Sequence, residues 1–291
     1  MMELMMDRLS TLLAQFGMHA STVFAAPMPA ELFITASERT ARLHLLRHGE
    51  LWFQLGQQQM VRISEPSLLL LPRPATHRLT ALAGAQPELV SATLRFDGGL
   101  DNPLTLALPD YVLIPLRDIP MLHSNLDWLF AEAFAAHCGK NAVLNRLFEL
   151  TMIQLLRHMM ASNTLATGMM AGLADLRLAK AVTLMHDQPS RAWTIAELAA
   201  AASMSRATFA ARFHKVVGIT PAEYLASWRV SLTQKLLREG RPIALIADEV
   251  GYESPSALAR TFRRKTGNSP REWLQMQING VVPPDLASGG T

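Results

Sequence analysis

One helical module occurs twice in the last hundred residues of this chain, offset by about 49 positions, and that duplication restricts the available folds more than any other feature. Ser205-Arg206-Ala207-Thr208-Phe209-Ala210-Ala211-Arg212-Phe213 aligns with Ser254-Pro255-Ser256-Ala257-Leu258-Ala259-Arg260-Thr261-Phe262. Each run reaches a glycine, Gly218 or Gly267, and then restarts with Thr/Ser-Pro-x-Glu-aromatic-Leu. A helix-turn-helix repeated in this way presents two reading helices, and two in one chain imply two contacts on one duplex.

The local signals agree. Thr194-Ile195-Ala196-Glu197 is a capping box, in which the threonine caps the helix and the glutamate three residues on returns the bond. A turn near Ser203-Met204 leads to a second capped helix at Ser205. Phe209, Phe213 and Val216 are expected inside, at helical spacing. A rotation of about 100° per residue sets Ala207, Ala211 and His214 on the opposite side, with Thr208 and Lys215 beside them. In the second copy Leu258 and Phe262 take the core positions, and Ser256, Arg260 and Arg263 face outward. Thr220 to Glu239 reads as one connecting helix, with Pro221 in its first turn and Gly240 past its end.

Charge divides along the same line. Residues 1–175 carry 12 Lys/Arg against 15 Asp/Glu, whereas residues 176–275 carry 15 against 8. The cationic half is the half with the repeat, as a phosphate-binding surface requires. The expected interface comprises Ser205, Arg206, Ala207, Thr208, Ala211, His214 and Lys215 from the first copy, and Ser256, Ala257, Arg260, Arg263 and Arg264 from the second. Arg260 suits bidentate readout of guanine. Arg264, Lys265 and Arg271 suit phosphate contacts, and Ala207 and Ala211 suit thymine methyls.

The first half has a different texture. Leu43-His44-Leu45-Leu46, Leu51 to Leu55, Met60 to Ile63 and Leu68 to Leu71 are short apolar or alternating runs, broken by Gly49, Gly56, Pro66, Pro72 and Pro74. Short strands with close turns predict a small β-barrel or sandwich over about 31–116. Helical periodicity follows over about 122–160, with Arg146, Glu149 and Arg157 toward solvent. The expected architecture is multidomain α+β. A β-barrel with flanking helices occupies 1–165, a linker 166–175, an all-α domain with two helix-turn-helix motifs 176–277, and a disordered tail 278–291. The lone cysteine, Cys138, excludes an intramolecular disulfide and reads as an inert, partly buried thiol in a helix. Met1 to Arg8 is acidic and amphipathic, unlike a secretory signal. Without an apolar run near membrane length, a cytoplasmic location is expected.

Residues 176–275 resemble the DNA-binding domain of the AraC/XylS transcription regulators. The resemblance rests on Ala247-Asp248-Glu249-Val250-Gly251-Tyr252 followed by Ser254, Arg260, Thr261-Phe262, Gly267, Ser269-Pro270 and Trp273. It implies seven helices, with two helix-turn-helix units joined by a long helix. Alanine at both 207 and 211 departs from the larger or polar residues that relatives often place there, which weakens base readout by the first unit. Leu43 to Leu79 is similar to a cupin barrel. Of the first cupin motif His44 and Glu50 stand, with Leu46 replacing the second histidine. Of the second motif Pro72 and His77 stand, with Pro66 and Pro74 replacing both glycines. His44, Glu50 and His77 are thus the expected ligand site, and a site for Zn²⁺ or Fe²⁺ if a metal is bound.

Two functions of different class follow. One is a transcription regulator, activator or repressor, that binds double-stranded promoter DNA as a homodimer under control of a small molecule or metal and engages RNA polymerase if it activates. The other is a dioxygenase-like cupin enzyme tethered to DNA. No P-loop, Gly-x-Ser-x-Gly or His-Glu-x-x-His motif supports an enzyme.

Overall fold

The computed structural model describes residues 7–36, 40–162, 165 and 167–278. They form two compact units. One runs from Phe16 to Leu165, and the other joins the residues up to Gln15 with those from Thr167 onward.

The first unit is a two-sheet β-sandwich. Its strands are β1 (Met18–Pro27), β2 (Glu31–Ile34), β3 (Ala41–His48), β4 (Leu51–Leu55), β5 (Val61–Ile63), β6 (Ser67–Leu71), β7 (His77–Ala81), β8 (Glu88–Phe96) and β9 (Val112–Pro115). They pair antiparallel in two sheets, β1-β8-β3-β6-β9 and β2-β7-β4-β5. Side chains alternate faces, so Leu46, Leu69, Leu71 and Leu89 from one sheet meet Leu51, Phe53, Ile63 and Leu79 from the other in one buried cluster. β6 is buried at every residue, which is why Leu68 to Leu71 is a continuous apolar run. The β3–β4 turn needs Gly49, whose φ is +87° and whose added Cβ would lie 2.7 Å from Pro87 Cα.

β1 lies outside the span expected for strands. Its small residues, Ala20, Ser21, Ala25 and Ala26, give a weak strand signal, and pairing to β8 supplies the order. It is an edge strand, and α4 (Lys140–Ala161) covers it. Asn145 Oδ1 accepts from Thr22 N at 2.8 Å, and Glu149 Oε1 accepts from Ala20 N at 3.1 Å. Glu149 therefore serves the sheet edge rather than solvent. Two further helices belong to this unit, α2 (Pro103–Ala107) and α3 (His123–Phe134). Cys138 lies beyond the end of α3 and is exposed, not partly buried in a helix.

The second unit is all-helical. It contains α1 (Ser10–Gln15), α5 (Met169–Ala174), α6 (Ala179–Asp187), α7 (Ile195–Ala201), α8 (Arg206–Val217), α9 (Pro221–Arg238), α10 (Ile243–Glu249), α11 (Pro255–Thr266) and α12 (Pro270–Ile278). Two boundaries differ from the sequence expectation. The segment at α1 packs here rather than with the strands, because Leu12 is fully buried and Arg8 Nη1 donates to Leu173 O at 2.9 Å. The expected linker 166–175 contains α5, with Met170 and Leu173 buried. The tail expected to be disordered, beyond Ile278, lies outside the described residues.

Candidate nucleic-acid interface and barrel histidines

Each helix-turn-helix is built by short-range bonds. The capping box at Thr194 is present in full, and Glu197 accepts from Thr194 N at 2.9 Å. That bond, the Thr194 hydroxyl and Arg191 hold the Glu197 carboxyl down at about 2. Replacing Thr194 by alanine is expected to cost about 1 kcal/mol of stability, readable as a lowered urea midpoint; an unchanged midpoint would show the cap to be idle. Both turns then close alike. Met204 N donates to Ala199 O at 2.9 Å, and Tyr252 N donates to Ala247 O at 2.8 Å. Ser203 (φ +54°) and Gly251 (φ +81°) supply the left-handed residue.

The reading helices α8 and α11 start at Ser205 and Ser254, whose hydroxyls accept from Thr208 N and Ala257 N, each at 3.2 Å. Ser205 Oγ and Thr208 Oγ1 also bond each other at 2.9 Å, so these two side chains are partly engaged in capping. Phe209 and Phe213 are fully buried, and Phe213 meets Tyr224 of α9 edge-on at 5.5 Å. The third apolar position inside is Val217; Val216, expected there, is half-buried. Arg206, Ala207, Thr208, Ala211, His214 and Lys215 are exposed together on α8.

α11 presents more charge. Leu258 and Phe262 are fully buried, while Ser256, Arg260, Arg263 and Arg264 are exposed and Ala257 is half-buried. Among the described residues, none of the three arginines makes an ion pair. Arg212 of α8, by contrast, is held by Asp175 at 2.6 Å. Burial pushes the Asp175 carboxyl up, but the guanidinium and the amides of Leu178 and Arg177 outweigh it and hold it below the usual range. The outward face of α11 is therefore cationic, although Arg263 also helps hold the Glu272 carboxyl below its usual range after the bonds from Ser269. α9 has 18 residues, about 27 Å of helix, between the two units.

In the sandwich, His44 on β3 and His77 on β7 join opposite sheets, with Nε2 to Nε2 at 2.9 Å. Their tautomers follow from one carbonyl. Ala75 O can only accept, so His77 Nδ1–H donates to it at 2.8 Å, and His77 Nε2 is left as the acceptor for His44 Nε2–H. The Ser91 hydroxyl must then donate to His44 Nδ1, at 2.7 Å. Burial holds both imidazoles neutral, with pKa values below normal. Glu50 does not join them: it is on the surface, paired with Arg62 at 2.6 Å. Among the described residues no group of three His, Cys, Asp or Glu can hold a metal ion, so the donor set fits neither the expected metal triad nor a cupin iron site.

Two family models match this chain, Cupin over residues 7–161 and Helix-turn-helix domain over residues 198–276. The chain belongs to the cupin family and carries a helix-turn-helix domain. A putative AraC-like transcription regulator of Streptomyces antibioticus is 46% identical over 133 residues, 45% of this chain and 44% of that one. The match thus spans somewhat less than half of that relative's length. The RCS-specific HTH-type transcriptional activator RclR of Escherichia coli is 28% identical, covering 83% of this chain and 86% of its own. An uncharacterized HTH-type transcriptional regulator of Haemophilus influenzae is also 28% identical, covering 79% and 84%. Among solved structures, fatty-acid-bound ToxT of Vibrio cholerae is 17% identical with a TM-score of 0.40, covering 90% of this chain and 95% of its own.

Proposed function

We propose that this protein is a DNA-binding transcription regulator that grips double-stranded promoter DNA through α8 and α11 and answers to a small ligand in the cupin domain. The carrying observation is α11, a capped helix with Leu258 and Phe262 buried and Arg260, Arg263 and Arg264 exposed on the outer side. A major groove admits one such helix, and bidentate arginine at guanine discriminates against other bases. Ser205, Arg206, Ala207, Thr208, Ala211, His214 and Lys215 form the contact surface of α8, with Ser256 and Ala257 beside the arginines on α11. The relatives named as transcriptional regulators support the same reading and not an enzyme.

His44 and His77 are the polar contacts of the ligand site, with Glu50 and bound metal left out of it. The ligand must favour one arrangement of the protein over another, since equal affinity for both shifts nothing. A second copy of the chain and, for an activator, RNA polymerase complete the partners, and the cytoplasm is where such promoters are met.

The test is a duplex selected from random sequence by the full-length protein. Arg260→Ala is expected to weaken binding to it by about 1–3 kcal/mol, roughly 5- to 150-fold, while affinity for scrambled DNA and the melting temperature stay put. Arg264→Ala should weaken both duplexes alike and lower the salt slope by about one. Indifference of the selected duplex to Arg260→Ala would remove this helix from base readout.

A further inference from the structure

The two helix-turn-helix units touch at a small junction whose parts come from both of them. The loop before α7, residues 188–193, is braced internally: Arg191 N donates to Gln188 O at 3.2 Å, Trp193 N to Arg191 O at 3.0 Å, and Trp193 Nε1 to Gln188 O at 3.1 Å. The Arg191 guanidinium also lies over the Trp193 ring at 4.0 Å. Arg229, midway along α9, reaches this loop with two donors. Its Nε donates to Pro189 O at 2.7 Å and its Nη2 to Arg191 O at 3.1 Å. The same guanidinium lies 5.4 Å from the centre of the Tyr252 ring, in the turn of the second unit.

The residue before Tyr252 closes the junction from the other side. A Cβ added to Gly251 would lie 2.4 Å from Ser190 O and 2.5 Å from Ser190 Cα, backbone atoms with no side chain to give way. Its counterpart Ser203 carries a side chain at the same left-handed turn, so the conformation alone does not demand glycine. Contact with the loop at Ser190 does.

We propose that Arg229 is a positioning residue for DNA recognition: bonded to the loop of the first unit and stacked on the turn of the second, it fixes the spacing and phase of the two reading helices. The inference rests on the proposed DNA-binding function. A single helix such as α9 can bend and rotate its ends. A three-element clasp with planar guanidinium geometry resists both, and lysine, a point charge on a flexible stem, cannot reproduce the two fixed bonds. Gly251 is the surface against which the clasp seats. Neither residue belongs to the outward faces of α8 or α11, so neither is needed for the contact of a single helix with its groove.

The test uses the full chain and three duplexes: one selected from random sequence, the same duplex with one or two base pairs inserted between the two contacted grooves, and one retaining a single contacted groove. The wild-type protein is expected to lose about tenfold or more on insertion, because the avidity of two linked contacts disappears when geometry forbids both. Arg229→Ala, Arg229→Lys and Gly251→Ala should weaken binding to the selected duplex while bringing the inserted duplexes to within about threefold of it, with the single-groove duplex unchanged. A DNA-free readout stands beside this. Spin labels at Lys215→Cys and Lys265→Cys in a Cys138→Ser background should give a narrow distance distribution, broadened by Arg229→Lys. Wild-type discrimination kept intact in the variants, or an unbroadened distribution, overturns the role of Arg229 and leaves the DNA-binding reading standing. Wild-type indifference to insertion refutes the two-contact reading, and the clasp's role in recognition with it.

Discussion

Acidification from pH 7 to pH 5 is expected to cost the helical unit about 2 kcal/mol of stability through one residue, His186, with a further loss toward pH 3. His186 is 3% exposed, stacks on Trp228 at 3.8 Å and shares a hydrogen bond with the Tyr224 hydroxyl at 2.7 Å. Burial lowers its pKa from 6.5 to about 3. The unfolded chain then binds a proton in the window between those values that the folded chain refuses. Stability therefore rises with pH across that window, is fully present above about 6.5, and is lost as the pH falls through it. The ceiling, near pH 3, is about 5 kcal/mol at 1.36 kcal/mol per unit. Urea unfolding between pH 7 and 5 stays above the ordinary carboxylate range, so histidines dominate the change. His44 and His77 shift in the same direction and add to the loss in the sandwich. His186→Phe isolates the contribution: it leaves the Tyr224 hydroxyl without its partner and lowers stability at pH 7, but its stability should fall less steeply toward pH 5 than that of the wild type. Parallel pH profiles for the two proteins would show that His186 does not carry the effect.

Phe262→Ala is the second large effect, a loss of about 3–5 kcal/mol. Phe262 is fully buried and meets Trp273 of α12 edge-on at 5.8 Å, with the Arg238 guanidinium 4.5 Å from the Trp273 ring centre. Removing the ring opens a cavity between α11 and α12. The variant should show a reduced urea midpoint, with exchange protection lost first at the amides of α11 and α12. Phe262→Leu should recover much of it, since most of the buried volume returns. A loss below about 1 kcal/mol for the alanine variant would mean that the site collapses around the gap.

Much of the helical unit was legible in advance because its determinants are local. Caps at Thr194, Ser205, Thr220 and Ser254 act within three residues, and the buried phenylalanines recur with the helical period. The outward positions of α8 and α11 follow from the same rotation, which is why Arg206, His214, Lys215, Arg260, Arg263 and Arg264 are all exposed. Arg229 escaped this reasoning. In the sequence it is one basic residue among several on α9, and only the approach of the 188–193 loop gives it partners.

The cupin half divides differently. Leu68 to Leu71 announced a strand, and His44 with His77 announced a shared interior. Nothing local could tell that Glu50 would pair with Arg62 at the surface, or that the two imidazoles would bond each other across the sheets. Motif spacing carries an ancestor's geometry, while the actual partner depends on strand register and on which cation lies across the turn. What the amino-acid sequence by itself determined, then, was whatever a few consecutive residues decide: helix starts, helix faces, turn glycines and the sign of the charge on each half. Tertiary structure alone decided the groups brought together from distant positions, among them α1 on the helical unit and the clasp at Arg229. Contacts between distant segments must first overcome chain entropy, and whether they form depends on the packing of everything between them.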